Sequence, residues 1–200
     1  MSNKKKTIIV DFDNTVARSS DCILDIYKKY KGIDFKVDNR FLGWDFEPYI
    51  PPEDRDWAIK QFDRDEFYNR LKPMDGAVEV LTKLSKKYNI VFCTKTENPS
   101  TRIKKLYWLD KYFKFKFNVI FVDSFVKSHV KGDIIIDDKI ECLQGDRKLK
   151  IIFGYTAYNS HPIYDYDSQQ FDDGSMITKA KDWEEVLSEI KYFEENVDKN

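Results

Sequence analysis

Residues 7–15 are Thr7-Ile8-Ile9-Val10-Asp11-Phe12-Asp13-Asn14-Thr15, which combine an apolar run with two acids. Four β-branched residues run without alternation into two acids, which is typical of a strand buried on both faces of a parallel sheet. Short apolar runs that end at a polar residue or a glycine recur downstream at 89–93, 117–122, 134–136 and 149–153. Together these runs predict the strands of one sheet.

Helical patterns lie between most of these runs. Apolar residues recur at i, i+3, i+4 and i+7 over 76–88, a similar stripe covers 181–193, and Pro99 suits the first turn of a helix over 99–112. Strands that alternate with helices predict an α/β fold, in which an open, Rossmann-like parallel sheet is flanked by helices.

The segment 17–72 interrupts this alternation. It contains helical patterns and a Pro51-Pro52 break but no convincing strand, and about 55 residues are too many for a plain connection between two elements. We therefore expect a core made of residues 1–16 and 73–200, with 17–72 inserted after the first strand as a small helical cap.

The composition excludes several classes of protein. Among 200 residues, 34 Lys and Arg balance 35 Asp and Glu, so neither a long nucleic acid nor an anionic membrane is an expected partner. Hydrophobic residues make up 42%, which suffices for a core, yet no apolar run approaches the roughly 20 residues of a membrane span. The three cysteines are widely spaced, which argues against a disulfide framework and favours the cytoplasm.

Acids follow two of the predicted strands directly. Asp11 and Asp13 follow the first strand, and Asp137 and Asp138 follow the strand at 134–136. Ligands of open α/β sheets bind beyond the carboxyl ends of the strands, so these carboxylates are expected to meet there. A single acid at a strand end usually only faces water, but several converging carboxylates repel one another unless a hard cation joins them. The two acidic strand ends therefore predict a Mg²⁺ site.

Four short motifs occur in a fixed order within residues 7–138. They are Asp11-Phe12-Asp13-Asn14-Thr15, Thr94 at the end of the second predicted strand, Lys127, and the pair Asp137-Asp138. In this order they resemble motifs I to IV of the haloacid dehalogenase superfamily, which are D-x-D-x-T/V, a Thr or Ser, a Lys and an acidic pair. Lys131 is a rival for motif III, but the spacing to the acidic pair favours Lys127.

Within that superfamily the chain is similar to the 5'(3')-deoxyribonucleotidases. The segment Phe92-Cys93-Thr94, the spacing from Lys127 to the acidic pair and a small helical cap after motif I all look like theirs. Asn14 stands where those enzymes usually have Gly, and Lys95 where they usually have Ser. These differences leave the phosphoryl chemistry intact but put the leaving group in question.

The resemblance implies a role for each matched residue, and the chemistry of the side chains agrees. Asp11 is the candidate nucleophile, and Asp13 is the candidate general acid and then base. Phosphate oxygens would be bound by Thr94, Lys95 and Lys127. Mg²⁺ would be held by Asp11, the Asp13 carbonyl, Asp137 and Asp138; by the family pattern Asp138 is the direct ligand of the acidic pair, whereas the sequence alone does not decide.

The cap is expected to select the substrate. Its aromatic stretch includes Phe41 and Trp44, which would stack on a nucleobase or, equally, pack the interior of the cap. The sequence thus predicts a Mg²⁺-dependent phosphomonoesterase that acts on (deoxy)nucleoside monophosphates through an aspartyl-phosphate. Two alternatives are a phosphatase for another small phosphate ester or a nucleic-acid end, and a catalytically silent binding protein with this fold. Formation of a homodimer stays open.

Overall fold

The computed structural model describes residues 5–36, 49–123, 127–154 and 174–197, together with the backbone of 168–170. Its strands are β1 (Thr7–Val10), β2 (Asn89–Lys95), β3 (Phe117–Val122), β4 (Ile134–Asp137), β5 (Leu149–Phe153), β6 (Ser168–Gln170) and β7 (Met176–Ala180). Its α-helices are α1 (Ser19–Lys31), α2 (Pro52–Gln61), α3 (Asp65–Arg70), α4 (Ala77–Ser85), α5 (Pro99–Tyr112) and α6 (Trp183–Asn196), and a short 3-10 helix spans Ile140–Leu143.

These strands form one sheet in the order β3-β2-β1-β4-β5-β7-β6, in which every neighbouring pair except β6 and β7 is parallel. The predicted α/β fold with a parallel sheet is therefore confirmed. From β1 the chain adds β2 and β3 on one side and then crosses to β4 on the other side. The strand order reverses at β1 and β4, where ligands of such sheets bind.

Burial on both faces explains why the sequence of β1 does not alternate. In β1, Ile8 and Val10 belong to a large apolar cluster that includes residues of α4, α5 and α6, such as Trp108. Ile9, between them, belongs to a second cluster on the opposite face, which includes Val130 and Leu143. Because both faces of β1 are covered, a continuous run of β-branched residues is the stable choice.

Two strands lie outside the prediction. β6 has the sequence Ser-Gln-Gln, and β7 mixes Thr178 and Lys179 with apolar residues, so neither contains a continuous apolar run. They lie at one edge of the sheet, where β6 pairs antiparallel to β7. β6 is the edge strand and has one neighbour, which relaxes the demand for apolar side chains. β7 pairs with both β5 and β6 and is mostly buried, and it escaped the prediction because Thr178 and Lys179 interrupt its apolar residues.

Between β1 and α4, the described residues form the helices α1, α2 and α3. The chain enters and leaves this segment at one place, because the Arg18 N–H donates to the Lys72 carbonyl (2.9 Å) and the Met74 N–H donates to the Val16 carbonyl (2.8 Å). We propose that the chain divides into core and cap at this crossing. None of the helices in the described ranges has the length and apolar character that a bilayer crossing requires.

Candidate active site

The turn after β1 brings two acids to one cavity. The Phe12 carbonyl accepts hydrogen bonds from the N–H groups of Val16 (3.1 Å) and Ala17 (3.0 Å), which closes a tight turn. Asn14 adopts a φ of 55°, in the left-handed region that Gly occupies freely and Asn tolerates better than most residues. Asn14 therefore replaces the usual Gly of motif I without loss of the turn, and Asp11 and Asp13 both line the cavity.

Two tryptophans from different helices hold this turn. The Trp183 indole, at the start of α6, donates from Nε1 to the Thr15 carbonyl over 3.0 Å and is fully buried. The Trp108 ring, in α5, packs edge-on against Phe12 with ring centroids 5.0 Å apart. The turn is thus fixed by the core helices rather than by its own hydrogen bonds alone.

Three buried carboxylates meet where β1 and β4 end. One oxygen each of Asp11, Asp137 and Asp138 lies within 4.8 Å of the others. Burial, together with the charges of the neighbouring acids, raises the pKa of Asp11 to about 7 and the pKa of Asp138 well above its ordinary value. The Oδ2 atom of Asp138 is buried and has no hydrogen-bond partner within the described ranges. An oxygen-only cluster with an orphaned oxygen fits a hard cation such as Mg²⁺.

Lys127 is the cation of this cluster. Its Nζ donates to Asp11 and, over 2.6 Å, to Oδ2 of Asp137. Burial lowers the pKa of the Lys127 ammonium, but the charges of Asp11 and Asp137 outweigh burial and raise the pKa well above the ordinary value. Lys131, the rival for motif III, is exposed and does not line the cavity. The structure thus brings Lys127, and not Lys131, to the acids.

Thr94 and Lys95, at the end of β2, line the same cavity. Thr94 is buried, and its Oγ1 accepts a hydrogen bond of 2.7 Å from Lys105. The Lys95 side chain is about one-third exposed, with its Nζ 3.8 Å from a carboxylate oxygen of Glu97. Both predicted phosphate-binding residues of β2 therefore lie beside the acids, while their roles stay predictions.

Lys105 and Ser19 are contacts of Asp13 that the sequence analysis missed. The Lys105 Nζ lies 2.5 Å from Oδ2 of Asp13, and the Ser19 hydroxyl donates to Oδ1 over 2.6 Å. Lys105 is on the buried side of α5 with Thr101 and Trp108. A lysine at the spacing of a buried helix stripe was the available signal, because a buried lysine needs a charged or polar partner.

The cavity above these groups has a volume of about 440 Å³, which suits a small molecule. Its floor is formed by the charged groups at the strand ends, and helices α2 and α3 with their connection contribute Ile59, Phe62, Asp63 and Tyr68. A polar floor and a partly aromatic wall can hold a ligand with a phosphate at one end and an apolar ring at the other. Phe41 and Trp44, the predicted base-stacking residues, lie outside the described residues.

The sequence and the fold both have close parallels among known proteins. A family model described as "5' nucleotidase, deoxy (Pyrimidine), cytosolic type C protein" matches residues 5–183. The 5'(3')-deoxyribonucleotidase of Bacillus subtilis (strain 168) is 32% identical over 154 residues, which cover 74% of this chain and 85% of the relative, and the enzyme of Bacillus phage SPbeta matches to the same extent.

Solved structures agree on the fold. A haloacid dehalogenase-like hydrolase from Streptococcus pneumoniae superposes with a TM-score of 0.56 at 16% identity, covering 93% of this chain and 98% of that one. A haloacid dehalogenase-like hydrolase from Xanthomonas campestris superposes with a TM-score of 0.54 at 12% identity, covering 98% and 100%. At such low sequence identities the similarity shows a shared fold and does not show a shared reaction.

Proposed function

This chain belongs to the 5' nucleotidase, deoxy (pyrimidine), cytosolic type C protein family, and we propose that it is a phosphomonoesterase that dephosphorylates (deoxy)nucleoside monophosphates. The observation that supports this best is the set of three buried carboxylates at the ends of β1 and β4, which are paired with Lys127 beneath a cavity with an apolar wall. Nucleotidases need this combination, since they must handle a phosphate and a base in one site.

Asp11 acts as the nucleophile. One of its carboxylate oxygens forms a bond to phosphorus while the bond from phosphorus to the ester oxygen breaks. Asp13 gives its proton to the departing ester oxygen, and then takes a proton from the water that hydrolyses the aspartyl-phosphate. Both acids line the cavity, and Asp11 is fixed by Lys127 while Asp13 is fixed by Lys105 and Ser19.

The phosphate oxygens are bound by groups that surround the two acids. The Thr94 hydroxyl donates a hydrogen bond to one oxygen, and the ammonium groups of Lys127 and Lys95 offset the negative charge that the phosphoryl group carries in the transition state. Lys127 also pairs with Asp137, so the position of its charge is set before the substrate arrives.

Mg²⁺ is the proposed cofactor. Asp11, Asp137, Asp138 and the main-chain carbonyl of Asp13 would hold it. Asp138 is the best-supported ligand, because its buried Oδ2 has no hydrogen-bond partner among the residues that the structure describes. When bound, Mg²⁺ supplies positive charge that reduces the repulsion between the anionic nucleophile and the anionic phosphate. The cysteines, which are all free and buried, support a cytoplasmic location.

The nucleoside end of the substrate would lie against α2 and α3. Phe62 offers a ring and Ile59 an aliphatic surface at the cavity wall, and a base stacked on one aromatic ring gains about 1–3 kcal/mol. Phe41 and Trp44 are proposed to contribute further rings.

A substrate panel tests the proposal. Phosphate release is measured from deoxynucleoside 5'- and 3'-monophosphates, from sugar phosphates without a base and from p-nitrophenyl phosphate, each with Mg²⁺ and with a chelator. We expect a preference for nucleotides and complete dependence on Mg²⁺, with Asp11→Asn inactive on every substrate. Equal turnover of sugar phosphates would favour a phosphatase for other small esters, and no turnover at all would favour a binding protein.

A further inference from the structure

We infer that Lys105 is a positioning residue, which sets the direction of the Asp13 carboxyl group and of the Thr94 hydroxyl for phosphoryl transfer. The inference rests on the proposed function, because it concerns how one side chain serves that reaction. Lys105 lies on α5, yet its Nζ reaches Asp13 after β1 and Thr94 in β2.

The geometry fixes the plane of the Asp13 carboxyl group. The Lys105 Nζ donates to Oδ2 over 2.5 Å, and the Ser19 hydroxyl donates to Oδ1 over 2.6 Å. A carboxyl group with a partner on each oxygen cannot rotate about its last bond without loss of a hydrogen bond. Asp13 is more than nine-tenths buried, so water does not readily replace either partner.

The same ammonium group orients Thr94. The Thr94 Oγ1 accepts from the Lys105 Nζ over 2.7 Å, so the hydroxyl hydrogen of Thr94 points away from Lys105. Since Thr94 lines the cavity, that hydrogen is available to an oxygen of the substrate phosphate. One buried cation therefore arranges both a proton carrier and a phosphate ligand.

Packing restrains the aliphatic chain of Lys105 as well as its ammonium group. Its residue is 2% exposed, on the face of α5 that also buries Trp108 and Leu109. Its Nζ lies 4.6 Å above the ring of Phe12, the residue between Asp11 and Asp13. A cation over an aromatic face is attracted to it, so the ring that separates the two catalytic acids also restrains the ammonium group.

A lysine that only neutralised a buried acid would have the same contacts as one that positions Asp13 for proton transfer. Substrates with different leaving groups distinguish these two roles. In the first step the Asp11–phosphorus bond forms, the phosphorus–oxygen ester bond breaks, and the Asp13 proton goes to the ester oxygen. A nucleoside alkoxide is a poor leaving group that needs this proton, whereas p-nitrophenolate leaves without it. Misplacement of Asp13 should thus harm nucleotide hydrolysis selectively.

The test compares kcat/KM for a deoxynucleoside monophosphate and for p-nitrophenyl phosphate in the Mg²⁺-loaded enzyme. Lys105→Met, which keeps the length of the stem, should lower the nucleotide value by about 100-fold or more, the range of a lost general acid. The p-nitrophenyl phosphate value should fall by less than about 10-fold, through Thr94 alone. Lys105→Arg should recover part of the nucleotide value, and Lys111→Met, an exposed lysine on the same helix, should change neither.

Equal losses on both substrates in Lys105→Met would overturn the inference, since a general structural defect lowers them together. If a thermal melt shows that Lys105→Met does not fold, Lys105→Arg decides instead: a larger loss on the nucleotide supports the inference, and equal losses or none overturn it. A wild-type enzyme that hydrolyses neither substrate overturns the proposed function, and the inference with it. An active wild type with equal losses overturns the inference alone.

Discussion

Replacing Asp138 by Asn should stabilise the metal-free protein and abolish its stabilisation by Mg²⁺. Asp138 is buried, its Oδ2 has no partner within the described ranges, and its carboxylate lies within 4.8 Å of those of Asp11 and Asp137. Two unit charges at this distance repel by about 3 kcal/mol at an effective dielectric constant of about 20. Attraction to Lys127 offsets one of the two pairs, and the raised pKa of Asp138 lets proton uptake relieve part of the rest, so a gain of about 1–3 kcal/mol remains for Asp138→Asn.

The response to Mg²⁺ has the opposite sign. A ligand at 100 times its dissociation constant stabilises a folded protein by about 2.7 kcal/mol, and each kcal/mol raises the melting temperature of a chain of this size by about 2–4 °C. The wild type should therefore gain about 5–11 °C on saturation with Mg²⁺. Asp138→Asn, which lacks one anionic ligand, should gain much less at the same concentration.

Thermal unfolding followed by circular dichroism checks both signs. Wild type, Asp138→Asn and the exposed control Asp110→Asn are melted in a chelator and in a series of Mg²⁺ concentrations at neutral pH. The control should follow the wild type throughout. The reasoning is refuted if Asp138→Asn melts below the wild type in the chelator, or if its gain with Mg²⁺ equals that of the wild type.

Two further predictions concern a lysine and a glutamate. Lys127→Ala should lower kcat/KM on every phosphate ester by at least about 100-fold, because the buried ammonium group no longer offsets the charge of the phosphoryl group. Replacement of the exposed Lys131 by Ala should have little effect. Steady-state kinetics measure both, and a larger loss in Lys131→Ala would show that the wrong lysine was chosen. Burial opposes ionisation of Glu194, but hydrogen bonds from Lys87 and Tyr88 outweigh burial and hold its pKa below the usual 4.5. These two interactions of Glu194 therefore stabilise the fold above pH 4.5, and the stabilisation is lost as the pH falls through the lower pKa of Glu194 in the folded state. Glu194→Gln should lower the free energy of unfolding by about 0.5–1 kcal/mol at pH 7, a modest amount because Lys87 is largely exposed. Denaturant melts should show that this difference from the wild type disappears towards pH 3. A difference that stays constant with pH would contradict the prediction.

The sheet could be predicted from the sequence as far as its strands are buried on both faces. β1 and β4 are runs of β-branched residues because helices or loops cover each side. Such continuous apolar runs can be recognised as buried strands from the sequence alone. The edge strand β6 and its neighbour β7 contain polar residues and give no comparable signal. The helix predicted over 99–112 has the bounds of α5: Pro99 stands in its first turn, and the extended backbone of Phe113 ends it.

The site could be predicted only where strand order determines it. Parallel strands share one carboxyl edge, so Asp11 and Asp138 were expected to meet there, and the structure brings them together. Ser19 and Lys105 reach Asp13 from α1 and α5, and contacts of this kind depend on how helices pack on the sheet. No local pattern encodes that packing, although the spacing of Lys105 within the buried stripe of α5 indicated a lysine that needs a partner.

Whether Asp11 is the nucleophile is tested by locating the phosphate on the enzyme during turnover. The wild type is mixed with a deoxynucleoside monophosphate and Mg²⁺, quenched in acid within milliseconds, digested, and examined by mass spectrometry for a phosphorylated peptide. We predict phosphate on the carboxyl group of Asp11, and none in Asp11→Asn, because this side chain is placed beside Lys127 at the floor of the cavity. Rapid turnover with phosphate on another residue, or undiminished turnover by Asp11→Asn, would contradict the account.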